Sequence, residues 1–433
     1  MAAAVLILGA SPPARASSPF RSVETIRWPD GTELVVFQNL EGVMLTRATM
    51  TGPAGADTSG PFVLDTGAGY LAIDIDLARR IGIVDSSAAT AGVGIATRPL
   101  PRFQLGALSM DQVEPVLTID ATIVRRVTDH PVLGLLGYKP LRDRAVWIDY
   151  RAGRVALIPS QPIDLEPTEP AFRISARALE GVLSSRAVPV AFRLAGDGKV
   201  LVQARLGDPR PPAYTPWLWL VVDTGASKCV LFEEVMARDS KSIEQWPALR
   251  GLEAPTLLGV APARIVRIQT LELMTAARSK PRELKVNGVD AAVIRSELQE
   301  VLTSVTRETI HGLIGYSLLR RYRVVFDYPR HVLWLDPIPG YRDDRPYEYS
   351  QVGIQLERAG ALVRVTAVAL GSPAAEAGIR RGDEIVTIDG APARGDLAEV
   401  AKRLEGPPGS EVRLVVRQGA TEQSHSLKRR RLL

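Results

Sequence analysis

Of 433 residues only one is cysteine, Cys229, so no intrachain disulfide can form. The four histidines, His130, His311, His331 and His425, are too scattered for metal-ligand spacing, and no metal or other cofactor is expected. Nowhere does an apolar run reach the roughly 18–20 residues that a membrane-spanning helix needs, so no integral span is expected in the mature protein. Surplus charge is also slight. The net charge is +5, and lysines and arginines alternate with acids along most of the chain. Only Lys428, Arg429, Arg430 and Arg431 form a basic run, which reads as a solvated tail, and no nucleic-acid partner is expected. What remains is a globular composition, 46% hydrophobic and 23% charged. At this length the chain should divide into roughly two to four domains.

The beginning reads differently. An apolar run at 2–10 precedes Ala14-Arg15-Ala16, the small-x-small form of a signal-peptidase site, so residues 1–16 are expected to be a signal peptide. This predicts an exported protein, periplasmic or extracellular, for which near-absence of thiols suits an oxidising compartment. A positively charged n-region is missing, and a frayed apolar terminus is the competing reading.

Self-similarity is the strongest signal. Phe62-Val63-Leu64-Asp65-Thr66-Gly67-Ala68 returns as Leu220-Val221-Val222-Asp223-Thr224-Gly225-Ala226. Downstream, 134–150 aligns without a gap to 312–328, with nine of those 17 positions identical. The second copy carries about 20 more residues between these blocks, expected as a loop or helix within 239–285. Each copy has an alternating apolar run before its Asp-Thr-Gly (33–37, 200–205), a short helix after it (76–81, 233–238) and a closing strand pair (145–149 with 155–158, 323–327 with 332–335). Proline-rich seams lie at 159–170 and 336–346.

One Asp-Thr-Gly is a common turn; two in matched contexts suggest chemistry. Two carboxyls held side by side cannot both ionise, so they share a proton. One then activates water while the other donates to the carbonyl under attack. Gly67 and Gly225 would let the loops approach closely, and Thr66 and Thr224 could hydrogen-bond across to the opposite loop. Asp149 and Asp327 also recur, but each precedes Tyr and a turn and reads as a turn former. Cys229, with no histidine near it in sequence, reads as a small core residue.

These residues resemble the retropepsin-like branch of the aspartic peptidases, over about residues 35–337. The resemblance implies a mainly β, two-lobed acid-protease β-barrel fold, a single-chain pseudo-dimer like pepsin, with Asp65 and Asp223 catalytic between the lobes. Leu135-Leu136-Gly137 and Leu313-Ile314-Gly315 would pack behind the active-site loops. A Gly-rich, aliphatic flap is expected around Val93, Gly94 and Ile95; the matching stretch near 258–262 is less clearly a flap. From 349 onward the chain resembles a bacterial PDZ domain, a small α+β fold. By that likeness Val352, Gly353 and Ile354 would receive a peptide C-terminal carboxylate, Gln355 would begin the strand that pairs with the incoming chain, and 396–404 would form the facing helix.

The expected layout is a signal peptide at 1–16, lobe 1 at 20–160, a linker at 161–172, lobe 2 at 173–337, a linker at 338–348 and the PDZ domain at 349–433. The expected function is aspartic endopeptidase, acting as a monomer on peptide or protein substrates, with the PDZ domain taking a C-terminal peptide. A non-catalytic peptide-binding scaffold, with degenerate lobes, is the competing reading.

Overall fold

The computed structural model describes residues 26–85, 93–163, 169–207, 213–240, 243–275, 284–342, 345 and 347–433. The expected signal peptide lies outside them. The protein is mainly β, with two lobes and a small α+β module following them.

The two Asp-Thr-Gly turns sit in the same local frame. In lobe 1, strand Asp57–Leu64 runs into Asp65 and lies parallel to Gly134–Leu136, which is in turn antiparallel to Leu71–Asp74. In lobe 2, Leu218–Val222 runs into Asp223 parallel to Ile310–Ile314, which is antiparallel to Cys229–Phe232. The registers correspond: Leu64 faces Leu136 and Val222 faces Ile314. The Asp65 N–H donates to Leu136 O at 3.0 Å, and the Asp223 N–H to Ile314 O at 2.9 Å. Uninterrupted apolar runs such as Phe62-Val63-Leu64 are buried on both faces, as strands inside a sheet require.

Gly137 and Gly315 end the supporting strands because backbone passes directly over them. A Cβ at Gly137 would lie 2.4 Å from Ala68 O, and one at Gly315 would lie 2.6 Å from Ala226 O. Any side chain there would push the Asp-Thr-Gly loops out of place.

The closing hairpins join the lobes. Strand Arg144–Asp149 of lobe 1 pairs antiparallel with Tyr322–Asp327 of lobe 2, making one continuous sheet under both aspartate turns. Trp147, Val324, Phe326 and Leu335 bury completely in this platform. Helix Glu169–Ala178 crosses the expected boundary at 172 and covers the underside, with Phe172 and Leu179 packed among Trp147 and Trp334. Asp327 accepts from Ser160, Ser175 and Arg330, and Asp149 caps its own turn and pairs with Arg323, so both hold this platform together. Cys229 is buried in the core.

The added length of lobe 2 is strand. A long hairpin, Ala248–Thr256 with Gly259–Leu273, precedes Leu284–Ile294. Its tip residue Leu257 packs on the lobe 1 cluster that contains Ala68. Of the corresponding part of lobe 1, Gly94–Ile95 pairs with Val116–Ile119 at the sheet edge, and residues 86–92 lie outside the described residues. Gly251 and Pro255 break the alternation by which sequence would reveal such a strand.

The C-terminal module has its own core, including Val352, Ile354, Val365, Ile385, Leu397 and Val412. Strands Ile354–Ala359, Leu362–Val368, Glu384–Ile388, Glu411–Gln418 and Thr421–Lys428 form its sheet. Helix Leu397–Lys402 flanks the first of these, started by Asp396, whose carboxylate accepts from Ala398 N–H at 2.8 Å and Glu399 N–H at 3.2 Å.

Candidate active site

Asp65 and Asp223, 158 residues apart in sequence, meet where the lobes face each other. Both residues are fully buried, and their carboxyls lie close enough that each shifts the other's ionisation. Each Oδ1 is held by its own turn: Gly67 N–H donates to Asp65 Oδ1 at 2.8 Å and Ala68 N–H at 3.1 Å, while Gly225 N–H donates to Asp223 Oδ1 at 2.7 Å. Among the described residues no protein donor reaches either Oδ2. A Cβ on Gly225 would stand 2.8 Å from Asp65 Cγ, so only glycine lets the two turns close up.

Four hydrogen bonds related by the pseudo-twofold tie the turns together. Thr66 Oγ1 donates to Val222 O at 2.9 Å and accepts from Thr224 N–H at 3.0 Å. Thr224 Oγ1 donates to Leu64 O at 3.0 Å and accepts from Thr66 N–H at 3.0 Å. All are buried, so each threonine satisfies backbone groups of the opposite lobe, and the carboxyls cannot drift apart without breaking them.

Burial dominates the electrostatics. It raises the pKa of both carboxyls above the ordinary aspartate range, and the neighbouring negative charge of Asp65 raises Asp223 further. The Lys199 ammonium opposes this at both. Such a pair holds one proton through pH values at which isolated aspartates are fully ionised.

Lys199 and Asp197 were not singled out from sequence. Lys199 is fully buried and its ammonium lies 2.6 and 2.8 Å from the two Asp197 oxygens. Burial alone would raise the Asp197 pKa, but Lys199 brings it below the usual value. Asp197 comes from lobe 2 yet abuts Gly69, two residues past Gly67, where a Cβ would be 2.5 Å from the Asp197 carboxyl. The available signal was a charged residue opening the apolar run Val200-Leu201-Val202.

Of the expected flap, Val93 and Ile95 are exposed, at 41% and 67%, and Gly94–Ile95 lies along the sheet edge; residues 91 and 92 fall outside the described residues. Among the described residues no cluster of His, Cys, Asp and Glu has the geometry to hold a metal, and no helix is long and apolar enough to cross a membrane.

In the C-terminal module Val352 is fully buried, Gly353 and Ile354 follow it into the strand edge, and Gln355 begins to face the lobes. Residues 364–418 match the PDZ domain family. The C-terminal module is a PDZ domain.

Relatives in sequence are probable CtpA-like serine proteases, 33% identical over 86 residues in Staphylococcus aureus and 26% identical over 95 residues in Staphylococcus haemolyticus. These stretches are 20% and 22% of this chain, and the chain spans only 17% and 19% of those relatives' length. Among solved structures, the photosystem II D1 C-terminal processing protease is 34% identical over 19% of this chain and 23% of that one, with a TM-score of 0.19. An aspartic proteinase from Irpex lacteus covers 71% of this chain and 98% of its own at 12% identity and a TM-score of 0.38, an overlap below that from which a shared fold follows.

The PDZ groove between strand Ile354–Ala359 and helix Leu397–Lys402 faces the lobes. The Gln355 side chain donates to Glu253 O at 3.1 Å and accepts from Glu253 N–H at 2.8 Å, so the expected peptide-receiving edge already contacts the lobe 2 hairpin.

Proposed function

We propose that this chain is an aspartic endopeptidase whose PDZ domain receives a peptide C-terminus. The observation carrying this reading is the burial of the Asp65 and Asp223 carboxyls side by side at Gly225, whose Cβ would stand 2.8 Å from Asp65 Cγ and 3.1 Å from Asp223 Oδ1, with each carboxyl fixed by its own glycine N–H and the two turns crossed by the threonine bonds. In the proposed reaction, the ionised carboxyl takes a proton from a water as that water attacks the scissile carbonyl carbon. The protonated carboxyl donates to the carbonyl oxygen, giving a neutral gem-diol. Collapse of this intermediate returns a proton to the leaving nitrogen and frees amine and acid. Lys199 favours the first ionisation of the pair, while burial keeps the second proton on.

Both aspartates come from one chain, so a monomer suffices. An exported location is part of the reading and accords with one buried thiol. The serine chemistry in the relatives' names belongs to proteins that this chain matches over less than a fifth of their length.

The test is cleavage of a peptide library between pH 3 and 8 by the wild type, Asp65→Asn and Asp223→Asn. Wild-type cleavage should fall at least ~10³-fold in each variant with the fold intact by circular dichroism. Equal cleavage in the variants would refute the mechanism; C-terminal peptide binding without any cleavage would favour the scaffold reading.

A further inference from the structure

Strand Ala248–Thr256 is the outer edge of the lobe 2 sheet, so its outward N–H and C=O groups have no neighbouring strand to pair with. The PDZ domain takes them up instead. Leu370 N–H donates to Arg250 O at 2.9 Å, and the Gln355 side chain donates to Glu253 O at 3.1 Å and accepts from Glu253 N–H at 2.8 Å. Arg381 adds an ion pair to the Glu253 carboxylate. The strand is shaped for this contact. Its register against Gly259–Leu273 slips by one residue between Leu249 and Leu252, and Gly251 in that bulge has φ +82°, with Val368 O 3.0 Å from where a Cβ would stand.

The same hairpin spans the gap between the lobes. Its tip residue Leu257 packs on the lobe 1 cluster that contains Ala68, Leu117 and Ile119, and Ala68 directly follows Asp65-Thr66-Gly67. In this arrangement the Oδ2 atoms of Asp65 and Asp223 are both sealed from solvent, so an extended chain reaches them only after the lobes and the hairpin part. The PDZ domain opposes that parting because it also holds lobe 1. Arg358 lies 2.7 Å from Asp129, just past helix Thr122–Thr128, and Arg345 joins Glu41 of lobe 1 to Glu405 of the PDZ domain. A module with its own core, fixed both to lobe 1 and to the hairpin, keeps the two at one separation.

We propose that the docked PDZ domain is an inhibitory clamp, which holds the lobe 2 hairpin against lobe 1 and keeps peptide chains away from Asp65 and Asp223. Its consequence for cleavage rests on the aspartic peptidase reading; the clamp itself does not. The contacts on the hairpin suit a device that must release. They are a few hydrogen bonds and one ion pair whose Arg381 is 68% exposed, each weak on its own, whereas the Arg345 pairs are buried and keep the domain tethered. Cleavage by such a chain scales with the fraction of molecules whose hairpin is released.

The experiment uses the full chain, with labelled casein, an unfolded protein, as substrate. Gln355→Ala combined with Arg381→Ala removes the PDZ side of the hairpin contacts and should raise kcat/KM about tenfold while amide hydrogen exchange across 248–262 quickens. A second design combines Glu253→Cys with Gln355→Cys for a bismaleimide cross-link, the native thiol of Cys229 being buried. The cross-linked chain should lose most of the cleavage that the same double variant shows before cross-linking. Unchanged exchange across 248–262 in the Gln355→Ala, Arg381→Ala chain would overturn the clamp. Faster exchange with cleavage no faster than wild type, or full cleavage by the cross-linked chain, would overturn the inhibition. Asp223→Asn is the separate control: cleavage equal to wild type there refutes the aspartate chemistry, and the exchange result then decides the clamp alone. Neither design touches the PDZ core, and a folding failure in one leaves the other to decide.

Discussion

Replacing Thr66 by valine keeps the shape of the side chain and removes its hydroxyl. In the wild type that hydroxyl donates to Val222 O at 2.9 Å and accepts from Thr224 N–H at 3.0 Å, both across the lobe boundary and both buried. A valine methyl would face these two groups. An orphaned buried donor or acceptor costs about 1–3 kcal/mol, so two of them cost roughly 2–6 kcal/mol. Thr66→Ser keeps the hydroxyl and loses only a methyl, about 1 kcal/mol or less. The assay is urea unfolding at fixed pH for wild type, Thr66→Val and Thr66→Ser, with the same pair at Thr224 as the pseudo-symmetric control. Cleavage should fall further than stability in the valine variants, because displacing a catalytic group by about 1 Å can cost on the order of 100-fold. Thr66→Val within about 0.5 kcal/mol of wild type, or Thr66→Ser as damaging as Thr66→Val, would refute the view that these hydroxyls hold the lobes in register.

The charges beside the site make two further predictions. Replacing Lys199 by methionine together with Asp197→Asn removes a buried cation that favours ionisation of the aspartate pair without orphaning its partner; the acid limb of the kcat/KM profile should move to higher pH, and an unmoved limb would show that Lys199 does not act on the pair. Glu41 has its pKa raised by burial from 4.5 to about 7, so its contribution to stability is full below about pH 4.5 and is lost as pH rises through 7. Glu41→Gln should therefore lose less stability than wild type between pH 4.5 and 7.5, by on the order of 3 kcal/mol in urea unfolding; parallel pH curves would refute that assignment.

Sequence alone determined the repeated parts: the apolar strands entering Asp65 and Asp223, the helices after them, Ile75–Arg80 and Glu233–Asp239, and the closing hairpins. Each is governed by period and turn chemistry within a few residues, and duplication let one copy corroborate the other. The glycines of Leu136-Gly137 and Ile314-Gly315 were visible as a motif, but their reason, a backbone oxygen within 2.6 Å of any Cβ, appears only in three dimensions. Tertiary structure alone decided that Asp197 of lobe 2 lies against Gly69 of lobe 1, with Lys199 buried beside it. It also decided that the PDZ groove turns toward the lobes and that Glu41, Arg345, Glu348 and Glu405 share one buried cluster. These contacts join segments up to hundreds of residues apart and leave no local period, so burial and pairing that arise only when the chain closes on itself had to select them.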